Sequence, residues 1–168
     1  MPRVYLGVGS NIDREKNIRG ALHALEELYG DVLISPVYES DAVGFDGDPF
    51  YNLVVAIDTD KTVGELATEL RAIEEAWGRD RRSPKFSSRT LDIDILTWGN
   101  ACGEVDGVSL PRDEILKHAF VLKPLADLAG NDRHPETIRP YAEHWDAFDR
   151  SKQPLREVDF PLNDSGDF

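Results

Sequence analysis

An α+β fold of the ferredoxin-like β-α-β-β-α-β type, with an added C-terminal helix and tail, is what three features of the sequence predict. Strand-like and helix-like segments follow one another as strand–helix–strand–strand–helix–strand, and then a helix. The 168 residues, 40% of them hydrophobic, suffice for one domain with a real core. No internal repeat or low-complexity block divides the chain. An antiparallel sheet with helices on one face is the expected architecture.

The elements follow in order. Val4-Tyr5-Leu6-Gly7-Val8 reads as a short buried strand. Gly9-Ser10-Asn11 turns the chain, and Asp13 is a plausible N-cap for a helix from about Arg14 to Tyr29. Its apolar residues Ile18, Ala21, Leu22, Leu25 and Leu28 fall at helical spacing, and Gly30 stops it. The turn lacks a full P-loop or dinucleotide fingerprint, so it reads as a strand-to-helix turn before it reads as a phosphate cradle. Val32-Leu33-Ile34 and Val37-Tyr38 predict a second strand bent at Pro36. From Glu39 to Pro49 runs a loop with Gly44, Gly47 and several acids, the kind of surface segment that covers ligands. Phe50 to Ile57 is a third, strongly β-type run. Thr62 caps a second helix from Val63 to about Trp77, with Leu66, Leu70, Ile73 and Trp77 along one face. A cationic loop and a further strand follow, ending at Trp98-Gly99-Asn100. Leu110-Pro111 opens a third helical pattern, through Ile115, Leu116, Ala119, Phe120, Leu122 and Leu125, to about Ala129. From Asn131 onward prolines and acids dominate, and a wrapping tail is expected.

Composition excludes several classes. The formal net charge of −13 opposes nucleic-acid and anionic-membrane binding, because phosphate backbones would be repelled. That charge also argues against an RNA-binding module on this fold, which needs a basic sheet face. No apolar run approaches the ~18 residues of a membrane span. Met1-Pro2-Arg3 leads straight into a strand without signal-peptide architecture, so a cytoplasmic location is expected. The single Cys102 excludes an internal disulfide and a multi-cysteine zinc site, and it lacks the context of a nucleophile. His23, His134 and His144 lack metal-ligand spacing.

The stretch that carries chemistry runs from Arg79 to Leu96. Arg79, Arg81, Arg82, Lys85 and Arg89 make it cationic within a strongly acidic chain. It then becomes a strand in which Asp92 and Asp94 alternate with Leu91, Ile93 and Ile95. Alternate residues of a strand share a face, so the two carboxylates point the same way, roughly 6.5–7 Å apart at the backbone. Two hard oxygen ligands at that separation can hold Mg²⁺ between them and a polyphosphate, and arginine forks suit phosphate oxygens. A solvated Asp-x-Asp on a strand edge is the plain alternative; five nearby cations favour metal–phosphate chemistry.

Gly9-Ser10-Asn11, Ile73-Glu74, Gly78-Arg79, Ala119-Phe120-Val121-Leu122 with Pro124-Leu125, and above all Arg89-Thr90-Leu91-Asp92-Ile93-Asp94-Ile95 resemble the 6-hydroxymethyl-7,8-dihydropterin pyrophosphokinases of folate synthesis. The resemblance runs from about residue 3 to 130. It implies a pyrophosphokinase core over 1–130, with 131–168 a wrapping tail of the same domain. It also implies an enzyme that moves pyrophosphate from ATP to the hydroxymethyl oxygen of the reduced pterin and releases AMP. By the same resemblance Asp92 and Asp94 hold two Mg²⁺ ions. Arg79 and Arg89 join them in catalysis by clamping phosphate oxygens, and Arg81 lies on a closing loop. Glu74, Ile95 and Ser109 match positions lining the nucleotide pocket. Asn52 takes the hydrogen-bonding edge of the pterin, Asp41, Ala42 and Val43 complete that recognition, and Phe50 and Phe120 sandwich the ring. A monomer binding ATP and a reduced pterin, and no nucleic acid or membrane, is expected, as is a monofunctional form.

The chain departs from the family pattern at three places. Arg112 stands where His is usual and His118 where Arg is usual, two positions that contact the triphosphate; Phe86 replaces a frequent Trp. The rival to an active enzyme is a catalytically silent or altered-specificity pterin- or nucleotide-binding paralogue, which would bind ATP without making AMP.

Overall fold

The computed structural model describes residues 1–41, 47–77 and 91–160. The chain runs through β1 (Arg3–Ser10), α1 (Arg14–Tyr29), β2 (Leu33–Ile34), β3 (Val37–Ser40), β4 (Phe50–Asp58), α2 (Val63–Ala76) and β5 (Asp92–Trp98). A hairpin of β6 (Gly103–Val105) and β7 (Val108–Leu110) follows, then a 3-10 turn (Asp113–Leu116), α3 (Ala119–Ala129), α4 (Tyr141–Ala147) and β8 (Arg156–Val158). The main sheet has the order β5-β1-β4-β3-β8, with β2 also on β4 and every pairing antiparallel. This is the expected ferredoxin-like fold.

Side-chain alternation explains the layers. Val4, Leu6 and Val8 of β1, Leu53, Val55 and Ile57 of β4, and Ile93 and Ile95 of β5 face one way and bury Ile18, Leu22 and Leu25 of α1 and Leu66, Leu70 and Ile73 of α2. Tyr5, Val54, Ala56 and Leu96 face the other way and pack with Ile115, Leu122, Leu125 and Tyr141. The expectation of helices on one face is therefore corrected: α1 and α2 cover one face, and α3 and α4 cover part of the other. A bulge in β5 opposite Tyr5 and Leu6 keeps Leu96 with the second cluster while Trp98 packs against the first.

Local chemistry accounts for most element ends, and corrects others. Thr62 and Glu65 form a reciprocal capping box at α2. Asp13 occupies the N-cap of α1 in a left-handed conformation (φ 44°) but makes no side-chain cap. Leu28, counted in the apolar stripe of α1, is 50% exposed. Gly9 and Ser10, expected to turn the chain, belong to β1, and the chain bends over residues 11–13 instead. Ser10 Oγ and Asn17 Nδ2 donate to the Ile12 carbonyl at 3.0 and 2.7 Å, and Asn11 Nδ2 donates to that of Asp48 at 3.0 Å. The bent second strand is two strands. Between them the Ser35 N–H donates to the Val54 carbonyl at 2.9 Å, and its hydroxyl accepts the Val54 N–H at 2.8 Å. The third helical pattern breaks at Lys117–His118 into the 3-10 turn and α3. The β6–β7 hairpin, not anticipated, turns at Asp106 (φ 51°) and Gly107 (φ 82°), and the Asp106 carboxylate accepts the Gly64 N–H at the start of α2 at 2.9 Å. In the stretch after Asn131, Asp132 accepts a hydrogen bond from the Tyr5 hydroxyl, and β8 adds a strand beside β3. No helix among the described residues is long and apolar enough to cross a membrane.

Candidate active site

The open end of the α3-bearing face gathers the chemistry, and strand register does the gathering. Gly9 of β1 pairs with Asn52 of β4 on one side and with Asp92 of β5 on the other; one step along, Gly7 pairs with Val54 and Asp94. Residues directly opposite in antiparallel strands share a face. Asn52, Gly9 and Asp92 therefore form one row, and two strand spacings separate the amide from the carboxylate by roughly 10 Å at the backbone. The two glycines put no side chain of their own into that interval; the Leu96 side chain lies 3.4 Å from where a Cβ on Gly7 would stand, and the Asn52 amide reaches over Gly9. A Cβ on Gly9 would fall 2.7 Å from Asn52 Oδ1. Glycine within a strand marks such close approach, a signal present in the sequence and left unread.

Asn52 is buried, 9% exposed, and its Nδ2 donates to Ser40 Oγ at 3.1 Å, which fixes the amide's orientation. Phe50, two residues earlier, shares its face by alternation and pairs with Ser40. Phe120, at the start of α3, packs against the cluster that covers this face, with the His118 ring stacked on it at 4.8 Å and 14°. Asp41 lies just beyond the end of β3.

Asp92 and Asp94 are half-buried side by side. Burial, and next the neighbouring Asp92 carboxylate, push the Asp94 carboxyl up to about 7, with the Arg112 guanidinium pulling it back. Two carboxylates that repel one another in a partly desolvated place form a donor set that a hard divalent cation would relieve. Mg²⁺ binds through one or two carboxylates together with substrate phosphates, so the pair fits it. Among the described residues no group of three or more His, Cys, Asp or Glu side chains could hold a metal.

Arg112 Nη2 lies 3.9 Å from Asp94 Oδ1, and its Nε donates to Glu114 Oε1 at 2.8 Å, a partner that sequence reading missed. Its main chain is anchored too, the Arg112 N–H donating to the Leu96 carbonyl at 2.9 Å. An open depression of about 530 Å³ beside it is lined by Val108, Ser109, Pro111, Arg112 and Asp113, which brings Ser109 and Arg112 to one place. His118 does not line that depression; it is the N-cap of α3, and its N–H donates at 3.0 Å to the carbonyl of Glu114, the residue that holds Arg112.

Two expected nucleotide residues lie behind the strand. The Ile95 side chain is 5% exposed in the core under α1 and α2, so its main chain is what it can offer. Glu74 is also 5% exposed, and its Oε2 accepts the Ile93 N–H at 2.7 Å, between the two aspartates. Glu74 thus holds the segment that carries them. Arg79, Arg81 and Arg89, and Ala42 and Val43, lie outside the described residues.

Comparison with known proteins covers the same elements. The family model described as 7,8-dihydro-6-hydroxymethylpterin-pyrophosphokinase matches residues 5–130. The chain is 40% identical over 138 residues to a 2-amino-4-hydroxy-6-hydroxymethyldihydropteridine pyrophosphokinase of Pseudomonas aeruginosa, covering 80% of this chain and 85% of the relative. It is 35% identical over 145 residues to the enzyme of that name from Aquifex aeolicus, covering 85% and 90%. The fold is similar to that of Plasmodium falciparum HPPK-DHPS solved with pterin and p-hydroxybenzoate, with a TM-score of 0.68 at 15% identity. That match spans 87% of this chain and 41% of the other. With a family match over most of its length, resting on the strands and helices that carry Asn52, Asp92 and Asp94, the chain belongs to the 7,8-dihydro-6-hydroxymethylpterin-pyrophosphokinase family.

Proposed function

We propose that this chain transfers pyrophosphate from ATP to the 6-hydroxymethyl group of 6-hydroxymethyl-7,8-dihydropterin in folate biosynthesis. The pterin hydroxyl oxygen bonds to the β-phosphorus and loses its proton. The bond from that phosphorus to the oxygen bridging the α-phosphate breaks, and AMP leaves. The observation that carries this reading is the row Asn52–Gly9–Asp92, with Asp94 one step along. An amide suited to a flat heterocycle stands at one end, a carboxylate pair suited to a metal–triphosphate at the other, and a glycine without a side chain lies between them.

Each residue has a part. The Asn52 amide presents a donor and an acceptor to the pterin's guanine-like edge, oriented by Ser40. Phe50 and Phe120 flank the ring, and Asp41, with Ala42 and Val43, completes its recognition. Asp92 and Asp94 would hold two Mg²⁺ ions, whose bound charge neutralises the triphosphate and aligns the in-line displacement. Arg112 places a permanent cation beside that charge, and Ser109 lines the same depression. Glu74 and Ile95 support the nucleotide side from within the core. His118 keeps a place near the triphosphate by resemblance. So do Arg79 and Arg89, which would clamp the transferred group, and Arg81, which would close the site. A monomer in the cytoplasm completes the reading.

The test mixes the protein with Mg²⁺, ATP and 6-hydroxymethyl-7,8-dihydropterin and follows nucleotide products. Pterin-dependent AMP without ADP is expected. ATP binding without AMP would replace this reading with that of a silent paralogue.

A further inference from the structure

We infer that the segment 149–158, which lies beyond the family-matched residues 5–130, is a strap that positions the pterin side of the cleft through Gln153 and Arg156. The inference rests on the reading of Phe120 and Asp41 as pterin residues given above.

Gln153 works at the α3 side. Its Oε1 accepts the Ala119 N–H at 2.8 Å, and its Nε2 donates to the Lys117 carbonyl at 3.0 Å. The two bonds bracket His118, whose ring lies on Phe120. The first N–H groups of a helix have no partner within it, and His118 at the N-cap supplies no side-chain bond. Gln153 therefore provides from the tail the cap that α3 lacks locally, and sets the entry of the turn that carries Phe120.

Arg156 works at the β3 side. β8 is registered on β3 by the pairs Val37–Val158, Tyr38–Glu157 and Glu39–Arg156. From there Arg156 Nε donates to Glu39 Oε1 at 2.8 Å and its Nη2 to Asp41 Oδ1 at 3.2 Å. The second oxygen of Glu39 accepts from Arg14 Nη1 at 2.7 Å, and Arg14 lies over the Tyr51 ring at 3.7 Å. Hydrogen bonds from Arg156, then Arg14, hold the Glu39 carboxyl below the usual carboxylate range. A lone surface ion pair contributes little stability. What this network does is fix geometry: it joins Asp41 to β4 one residue from Phe50 and one from Asn52. Only Pro154 and Leu155 thus separate the anchors of the two sides of the cleft.

The experiment compares wild type, Gln153→Ala, Arg156→Ala, Arg156→Lys and the double alanine variant in the full chain, by steady-state kinetics in each substrate and by thermal melting. Each alanine variant is expected to raise the KM for the pterin about threefold to fivefold, and the double variant about tenfold or more, with the KM for ATP and kcat within about twofold. Arg156→Lys, which keeps the charge but reaches one carboxylate, is expected to fall between. A lowered melting temperature with unchanged pterin KM would mean the strap is only structural and would overturn the inference. Equal loss in both substrates would overturn it as well. A wild type that makes no AMP would remove the underlying reading itself, a result distinct from an active wild type indifferent to both substitutions.

Discussion

Gly9 and Asn52 face each other across β1 and β4, and a single methyl group at Gly9 would stand 2.7 Å from the Asn52 side-chain oxygen. That distance is below van der Waals contact, and Asn52 has little freedom to give way, because it is buried and tied to Ser40 Oγ. Gly9→Ala is therefore expected to turn the amide out of register and to weaken pterin binding about tenfold or more. ATP binding, on the far side of the row, should stay within about twofold. Calorimetric titration of each ligand separately reads both; loss of ATP affinity alone would contradict the assignment of this end of the cleft.

The Asp94 carboxyl is pushed up to about 7, first by burial and then by Asp92. An unfolded aspartate titrates at about 3.9, so the folded state holds this proton more tightly. The stability it contributes is full below about pH 4 and is lost as pH rises through about 7. Burial pulls the His134 and His144 imidazoles down, which works in the opposite sense at mildly acid pH, so the comparison that isolates Asp94 is wild type against Asp94→Asn. Between pH 5 and 8 the metal-free variant is expected to gain on wild type in melting temperature, while its turnover falls at least a hundredfold. Stabilisation of wild type by Mg²⁺ should grow over the same interval, because the ligand must be deprotonated. A variant that melts in parallel with wild type at every pH would show that Asp94 bears no such strain.

Glu74 tests support from beneath. β5 is an edge strand, and the Ile93 N–H that its partner β1 does not take is accepted by the Glu74 carboxylate. Glu74→Ala leaves that donor buried without its acceptor and is expected to cost about 1–3 kcal/mol in urea unfolding. Glu74→Gln keeps an acceptor oxygen and should cost less. Equal losses in the two variants would mean that the carboxylate charge, and not the bond to Ile93, is what matters.

Legibility in the sequence followed the range of the interactions. β1, α1, β4, α2 and β5 were readable because their periodicity is local, as were Asp92 and Asp94, whose common face follows from alternation within one strand. The Asn52–Gly9–Asp92 row was not, since it exists only once three strands take register. The break at Lys117–His118 was hidden because apolar spacing continues from Ile115 through Leu122 across it. The β6–β7 hairpin carried its Asp-Gly signal, but strands of three residues are too short to show alternation. In β8, Arg156-Glu157-Val158 has no strand character of its own, and its pairing with β3 and the ion pairs to Glu39 and Asp41 make it one.

Arg112, which the resemblance puts beside the triphosphate in place of a histidine, is held next to Asp94. Its guanidinium is preset by Glu114 at 2.8 Å and stands 3.9 Å from Asp94, close enough to oppose the rise in that carboxyl's pKa but long for a full hydrogen bond. A permanently charged fork held in this way suits a phosphate oxygen, where the histidine that the resemblance implies would be mostly neutral at pH 7. Arg112→Ala is expected to raise the KM for ATP about tenfold and leave pterin affinity within about twofold. It should also move the pH midpoint of Mg²⁺-dependent stabilisation upward, because Asp94 loses its facing cation. Arg112→His should restore ATP binding at pH 6 more than at pH 8. If Arg112→Ala changes neither the ATP parameters nor that midpoint, the cation over the triphosphate comes from another residue, and Arg112 serves only to hold the turn after β7.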